Sequence, residues 1–281
     1  MRHIKSVLVI VACVALAARA ADKLGDELIK AAKKGDVAKV QALIKQGTPV
    51  DAQSDDHKTA LWEATRHDKA DVVAALIEAK ADLNLPDKDG DTPLLLAAGR
   101  DDPKIAPLLM QAGADTAVRN RRGVSVLMAA AGGGHTEMIG PLLKAGATVA
   151  DEDNDGETAL HHAARQGRGA TVRALIDAHA DVDKESHLGE TPLMLAAGGA
   201  HSEAVSTLLR ADARPNTRNR RNKDWTALMY AAKGGTSGTI DELVDHGACV
   251  TRSAVEMAAK KKSEKTIKLL DDNAHNTCNK P

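Results

Sequence analysis

Residues Asn154–Asp183 read NDGETALHHAARQGRGATVRALIDAHADVD, and the chain restates this stretch along most of its length. When the copies are aligned on Thr158, the same landmarks recur at Thr59, Thr92, Ser125, Thr191 and Thr226. The anchors from 59 to 191 follow one another at intervals of 33 residues, and the last follows after 35. Weaker copies flank the set at residues 26–32 and 253–259. Self-similarity at a fixed period indicates a repeat architecture, here of eight repeats.

One repeat is typical of a turn followed by two short helices. Thr158 is a good N-cap because its hydroxyl accepts an orphan backbone N–H. Apolar residues spaced three to four apart predict a first helix from about 159 to 166, which Gly167 ends. A second helix is predicted from Thr171 to about Ala178, and Gly156 supplies the positive φ that the connecting turn needs. Such a repeat cannot bury its apolar face alone.

These motifs, T-A-L-H-x-A-A, D-x-x-G-x-T-P-L and G-A-D at 33-residue spacing, resemble those of the ankyrin repeat family. The resemblance covers roughly Ala21 to the C-terminus. It implies an all-α fold, an ankyrin-repeat solenoid of about eight helix-pair repeats with β-turn fingers. The expected organisation is an N-terminal capping repeat at 21–54, six ankyrin repeats at 55–250, and a C-terminal capping repeat with a tail at 251–281.

The composition agrees with stacked helices and disfavours binding to nucleic acid. The 281 residues include no Phe, one Tyr and two Trp, too few aromatic residues for an ordinary globular core. The formal net charge is −1, from 38 basic and 39 acidic residues. A balanced or mildly acidic repeat array is not a general nucleic-acid binder.

Residues 1–20 are predicted to be a secretory signal peptide. Arg2, His3 and Lys5 precede an apolar stretch, and Ala18-Arg19-Ala20 is an A-x-A cleavage site. The apolar stretch is too short to cross a bilayer, so we expect no membrane span and a periplasmic or secreted protein after cleavage near Ala20. The alternative is lipidation of Cys13, because Ile10-Val-Ala-Cys13 resembles a bacterial lipobox.

Two departures from the repeat pattern predict local strain. Lys80, His179 and Asp212 replace the glycine that follows the second helix in other repeats. A non-glycine residue in the left-handed conformation costs about 1–2 kcal/mol. Pro107 and Pro141 fall inside predicted second helices, which we expect to be bent or short.

Metal, cofactor and catalytic sites find little support. Asp151–Gly156 resembles the start of a calcium loop, but His162 stands where that loop needs a bidentate glutamate. His161 and His162 are adjacent and face different ways on a helix, and the resemblance implies that His161 bonds the N-cap threonine. No nucleophile motif is present, and the two-residue insertion before Thr226 cannot hold a pocket. We predict no enzyme activity, no cofactor and no metal.

Cleavage after Ala20 would leave two cysteines, Cys249 and Cys278. In an oxidising compartment an even pair predicts a disulfide bond. Two independent thiols are the alternative.

The resemblance implies that a partner binds at the finger tips and at the exposed ends of the first helices. The finger of the seventh repeat is the strongest candidate, because exposed Trp, Tyr and Arg dominate binding hot spots. The alternatives are that Trp225 packs locally and that neighbouring fingers pair their opposite charges. The predicted partner-binding residues are Trp225, Tyr230, Arg218, Arg220, Arg221, Lys223, Arg121, Arg122, Asp155, Glu157, Arg165 and Leu188.

The sequence therefore predicts an exported, non-catalytic scaffold, a monomer that binds a protein partner of unknown identity through its finger and helix face. An immunity-type inhibitor of a toxic enzyme is the second hypothesis. A metal-binding protein is the third.

Overall fold

The structure is a computed structural model that describes residues 23–100, 104–234 and 237–260, together with residues 267, 268, 270 and 271. The predicted signal peptide, Cys13 and Cys278 lie outside these residues. The described part of the chain contains helices α1 to α15, further helical residues at 267, 268, 270 and 271, and no β-strand; an isolated β-bridge joins Asn219 to Trp225, and Arg119 and Ser125 are also bridge residues. The predicted all-α repeat fold is confirmed.

The chain divides into two compact units, and the first comprises Met1–Ala97 and Asp102–Arg121. Its second helices pack in the order α2, α4 and α6, and α3 packs on α4. The helices of this unit are α1 (residues 23–34), α2 (Val37–Lys45), α3 (Ala60–Arg66), α4 (Ala70–Glu78), α5 (Pro93–Ala98, whose last residue is assigned to the second unit) and α6 (Ile105–Gln111).

The second unit comprises Ala98–Asp101 and Arg122–Pro281. Its first helices stack in the order α7, α9, α11, α13 and α15, and its second helices in the order α8, α10, α12 and α14. The helices are α7 (Val126–Gly133), α8 (Thr136–Lys144), α9 (Ala159–Arg165), α10 (Gly169–Asp177), α11 (Pro192–Gly198), α12 (Ser202–Arg210), α13 (Ala227–Gly234), α14 (Ser237–Asp245) and α15 (Arg252–Lys260).

The anchor residues cap the first helices as the sequence predicts. The Thr59 hydroxyl accepts the N–H of Trp62 at 3.1 Å, and the Thr191 hydroxyl accepts that of Met194 at 3.3 Å. In the fifth repeat Thr158 bonds instead to His161, whose Nδ1 lies 3.1 Å from the Thr158 nitrogen and 2.9 Å from its hydroxyl oxygen. The expected His161–threonine bond is confirmed.

The substituted caps adopt the conformation that glycine would favour. Lys80, His179 and Asp212 have φ of 63°, 66° and 63°, all in the left-handed region. Their side chains are exposed. They therefore carry backbone strain without burying apolar surface in return.

The two prolines have different effects. Pro107 is the third residue of α6, which has seven residues where α4 and α8 have nine, so the expected short helix is found there; at this position the missing N–H would have had no intrahelical partner. Pro141 lies within α8, which nevertheless runs the full nine residues, so a shortened helix is not found there. The carbonyl that Pro141 leaves without a donor belongs to Glu137, an exposed residue, and water can satisfy it.

Candidate functional site

The fingers are short hairpin turns that precede the anchor residues. Finger five (residues 153–157) is closed by a bond from the Asp153 N–H to the Glu157 carbonyl at 3.0 Å. The Asp153 Oδ1 accepts the N–H of Asp155 at 3.0 Å and that of Glu157 at 2.9 Å. Finger six (residues 186–190) repeats this geometry, with the Ser186 hydroxyl as acceptor. Five residues and an internal acceptor thus define the regular finger.

Successive finger tips are joined by backbone hydrogen bonds. In the second unit the N–H of Asn154 donates to the Arg122 carbonyl at 2.9 Å, and the N–H of His187 donates to the Asp155 carbonyl at 2.8 Å. In the first unit the N–H of Lys88 donates to the Asp56 carbonyl at 3.2 Å, and the Arg121 N–H donates to Asp89 at 3.0 Å. In every case the second residue of one finger donates to the third residue of the finger before it. We call these bonds the tip ladder.

Finger seven (residues 219–225) is built differently because it is two residues longer. Its closing bond runs from the Asn219 N–H to the Trp225 carbonyl at 2.8 Å. Lys223 and Asp224 are both left-handed, with φ of 52° and 58°. Finger seven therefore departs from the regular finger, and two left-handed residues stand where the regular finger has one glycine.

Trp225 is half-buried and has contacts within its own repeat. Its ring meets the ring of Tyr230 edge to face, with centroids 5.4 Å apart and an interplanar angle of 79°. The Lys233 ammonium lies 5.3 Å from the Trp225 centroid. These contacts correspond to the local packing considered as the alternative for Trp225, and its role toward a partner stays a prediction.

A polar chain connects the fifth, sixth and seventh repeats. The Arg165 guanidinium pairs with Glu157 and lies 3.9 Å from Glu190 Oε2. The Tyr230 hydroxyl donates to Glu190 Oε1 at 3.0 Å and accepts the side-chain amide of Asn219 at 3.0 Å. Burial raises the pKa of Tyr230, so the hydroxyl stays protonated and keeps its donor role.

This polar chain of side chains changes the interpretation of two residues that were predicted to lie at the surface. Glu157 was expected on the accessible face, but its side chain is only 10 % exposed and lies against Arg165. Burial raises the pKa of Glu157, while Arg165 opposes that rise. Tyr230 is half-buried, with its hydroxyl engaged on all sides. Both residues are placed to hold repeats together rather than to meet solvent.

The remaining predicted residues are exposed, and they differ in how their charges are balanced. In the sixth repeat Lys184 pairs with Glu152 at 2.6 Å, and Arg214 pairs with Asp183 at 2.8 Å. Leu188, at the tip of finger six, is 60 % exposed and is the only exposed large apolar side chain among the described residues. No ion pair within the described part of the chain involves the cations of finger seven and the residue just before it, which are Arg218, Arg220, Arg221 and Lys223. Arg121, Arg122 and Asp155 are exposed on fingers four and five.

One cluster of possible metal ligands escaped the sequence analysis. Ligand atoms of Asp153, Glu157 and His162 all lie within 4.8 Å of one another. The His162 Nε2 lies 2.9 Å from Asp153 Oδ2, and Glu157 is held by Arg165. Burial opposes ionisation of Asp153, but the Glu157 N–H and His162 bring its pKa below the usual value. The signal in the sequence is the spacing of four between the N-cap Thr158 and His162. This spacing places the His162 imidazole on the side of α9 that faces Asp153 in the finger.

Cys249 is buried and takes part in a disulfide bond. Its predicted partner Cys278 lies outside the described residues, so the pairing stays a prediction. Within the described residues, no helix has the length and apolar character needed to cross a membrane.

Comparison with known proteins identifies the repeats. A family model described as "Ankyrin repeats (3 copies)" matches residues 28–120, 96–186, 127–219, 171–254 and 193–280. Among solved structures, the human ASB11 ankyrin repeat domain is similar, with 26 % sequence identity and a TM-score of 0.67. That match covers 78 % of this chain and 96 % of the other. A comparison with curated proteins found no significant match.

Proposed function

Because the chain belongs to the ankyrin repeat family, whose members generally bind other proteins, we propose that it is a non-catalytic scaffold centred on its sixth and seventh fingers. Ankyrin repeat domains typically lack enzymatic activity, and the proposal includes no chemical step.

The observation that carries the proposal is the uneven balance of charge along the fingers. In finger five, Glu157 pairs with Arg165 and Asp153 with His162, both on α9, and Arg214 at the start of the seventh repeat is paired with Asp183. We define the basic tip as Leu188, Arg218, Arg220, Arg221 and Lys223. Its cations are exposed and have no ion-pair partner among the described residues. Clustered exposed charge of one sign steers and orients a complementary partner.

An exposed apolar side chain on the neighbouring finger supports a protein partner. Leu188 is 60 % exposed at the tip of finger six. Binding interfaces combine a desolvated apolar centre with a polar or charged rim. Leu188 on finger six and the cations of finger seven supply these two components.

The test is affinity capture of the native partner with two matched double variants. Arg220→Glu with Arg221→Glu reverses charge on the basic tip. Arg173→Glu with Arg210→Glu makes the same change on exposed residues of α10 and α12. We expect the tip variant to lose the captured protein and the control to keep it. Equal capture by both variants would contradict the placement of the binding face.

We also propose export, on the strength of residues 1–20 of the sequence. An apolar stretch ending in Ala18-Arg19-Ala20 fits cleavage that leaves Ala21 as the first residue. The intact mass of protein recovered from the periplasm of a Gram-negative host checks this. A mature species that keeps Cys13 and carries added lipid mass would show that the lipobox is used instead.

A further inference from the structure

The tip ladder stops between fingers six and seven. By the pattern of the preceding fingers, the N–H of Arg220, the second residue of finger seven, should donate to the carbonyl of Leu188, the third residue of finger six. These two groups form no hydrogen bond, and within the described part of the chain neither has another partner. The edge of the finger array is therefore open at this point.

The cause is the longer turn of finger seven. In finger five the acceptor side chain of Asp153 takes the N–H groups of the third and fifth residues. In finger seven the Asn219 Oδ1 takes those of the third and fourth residues, Arg221 at 3.0 Å and Asn222 at 3.1 Å. The backbone is thus drawn inward at its third and fourth positions, and the two extra residues follow in the left-handed conformation.

Side chains keep the two fingers adjacent although the backbone bond is absent. A Cβ atom placed on Gly189 would lie 2.7 Å from Asn219 Oδ1 and 3.7 Å from Arg221 Cγ. Gly189, the residue that follows Leu188, therefore lies beside Asn219 and the aliphatic stem of Arg221. The Leu188 carbonyl and side chain, the Arg220 N–H and the cations of Arg220 and Arg221 thus lie on two adjacent fingers.

We propose that this surface, the open tip of Leu188, Arg220 and Arg221, binds an extended acidic segment of a partner protein. The segment's backbone supplies an N–H to the Leu188 carbonyl and a C=O to the Arg220 N–H, as a strand does when it pairs with an exposed edge. One of its apolar side chains covers Leu188, and its carboxylates pair with Arg220 and Arg221. This assignment rests on the proposed function, because it specifies the partner of the same face.

The chemistry of the open tip favours a peptide over a nucleic acid. The sugar-phosphate backbone of DNA has no hydrogen-bond donor for the Leu188 carbonyl and that of RNA has only the 2′-hydroxyl, whereas every peptide unit except that of proline has an N–H. Single-stranded nucleic acids bind through aromatic faces on which their bases stack. The aromatic side chain of finger seven, Trp225, already contacts Tyr230 and Lys233.

The probe is a library of random linear peptides displayed on phage and selected on the full chain. Enriched sequences are then synthesised and their affinities measured by fluorescence anisotropy. We expect enrichment of Asp and Glu around one or two apolar residues. We expect the affinity to fall about tenfold or more in Arg220→Glu with Arg221→Glu and to stay unchanged in the Arg173→Glu, Arg210→Glu control.

A second variant tests the contribution of the open backbone edge separately from that of the two arginine charges. Deletion of Asn222 and Lys223 with Asp224→Gly leaves the regular five-residue finger Asn219-Arg-Arg-Gly-Trp225. Because Arg220 and Arg221 remain, this variant should close the ladder and slow hydrogen exchange at the Arg220 amide. Peptide affinity should fall about tenfold or more although both arginines remain.

Three results would overturn the assignment. One is undiminished peptide binding by the shortened variant. Another is binding of a single-stranded oligonucleotide or heparin at the tip with no enrichment of acidic peptides. The third is capture of the native partner that depends on Arg220 and Arg221 while no acidic peptide binds, which would leave the proposed function standing. If the Arg220→Glu, Arg221→Glu variant still captured the native partner undiminished, that result would instead contradict the proposed function itself.

Discussion

Acidification should destabilise the second unit through one buried histidine, His161. Its side chain is fully buried, its Nδ1 faces the N–H of Thr158, and its Nε2 lies 3.1 Å from the Glu190 carbonyl. The neutral form protonated on Nε2 satisfies both neighbours. A second proton on Nδ1 would face the Thr158 N–H donor and could be accepted only by the Thr158 hydroxyl oxygen at 2.9 Å, so the backbone donor favours the neutral ring.

The magnitude follows from the pKa of this group. The pKa of His161 is lowered from 6.5 to about 4, mainly by burial; the bond to the Glu190 carbonyl opposes this shift, and the charges of His162 and Arg165 add to it. Above pH 6.5 the His161 ring is neutral in both the folded and the unfolded state, so its contribution to the free energy of unfolding is fully present. As the pH falls, the unfolded chain binds the proton first, so stability is lost between pH 6.5 and pH 4. The loss is about 2 kcal/mol at pH 5 and about 3 kcal/mol in full.

The assay is urea denaturation followed by far-UV circular dichroism at pH 7.5 and pH 5. The matched variant is His161→Met, because Met128 stands at the same position of the fourth repeat and its sulfur lies 3.4 Å from the Ser125 nitrogen. This variant should be less stable at pH 7.5 and nearly insensitive to pH down to 5. His162→Gln, one residue further on, should keep the dependence. A pH dependence that persists in His161→Met would refute the reasoning.

Three further predictions concern individual contacts. Tyr230→Phe keeps the aromatic ring but leaves the buried Asn219 amide without its acceptor, and chemical denaturation should show a loss of about 1–3 kcal/mol. His179→Gly should raise the midpoint of denaturation, since relief of about 1–2 kcal/mol of left-handed strain exceeds the roughly 0.5–1 kcal/mol of added chain entropy; an unchanged or lower midpoint would show that the cap is unstrained. Non-reducing peptide mapping of exported protein should recover one linked pair, Cys249 with Cys278, and labelling of both as free thiols would exclude it.

The repeat period of the sequence predicts most of the fold. A hydroxyl anchor every 33 residues, followed by small apolar residues at helical spacing, is enough to place both helices of a repeat. Left-handed caps at Lys80 and His179 could be expected because each occupies the place of a glycine. Such local signals depend on backbone chemistry, which the sequence states directly.

The candidate site was less predictable because its contacts join residues far apart in sequence. Trp62 donates its indole N–H to the Asp91 carbonyl at 3.1 Å, the same contact that His161 makes to Glu190, although the two side chains share no obvious chemistry. Glu157 was expected at the surface, and only the position of Arg165 eight residues later explains its burial. The repeat period gives the position of a residue within its repeat. The side chains that bury that residue depend on the length and direction of its neighbours, which the period does not give.

The interrupted tip ladder also bears on how this protein can diversify. Where fingers are joined by backbone hydrogen bonds, nearly any residue can occupy the tip without altering the bond. Side-chain substitutions there have little effect on how the two fingers are joined. Between the sixth and seventh repeats the join is made by Glu190, Tyr230 and Asn219 side chains instead. Single amino-acid substitutions at these residues can therefore strengthen or weaken the hydrogen bonds between the two fingers, or change the orientation of finger seven. Selection can therefore adjust the seventh finger independently, while the tips before it stay in a common register.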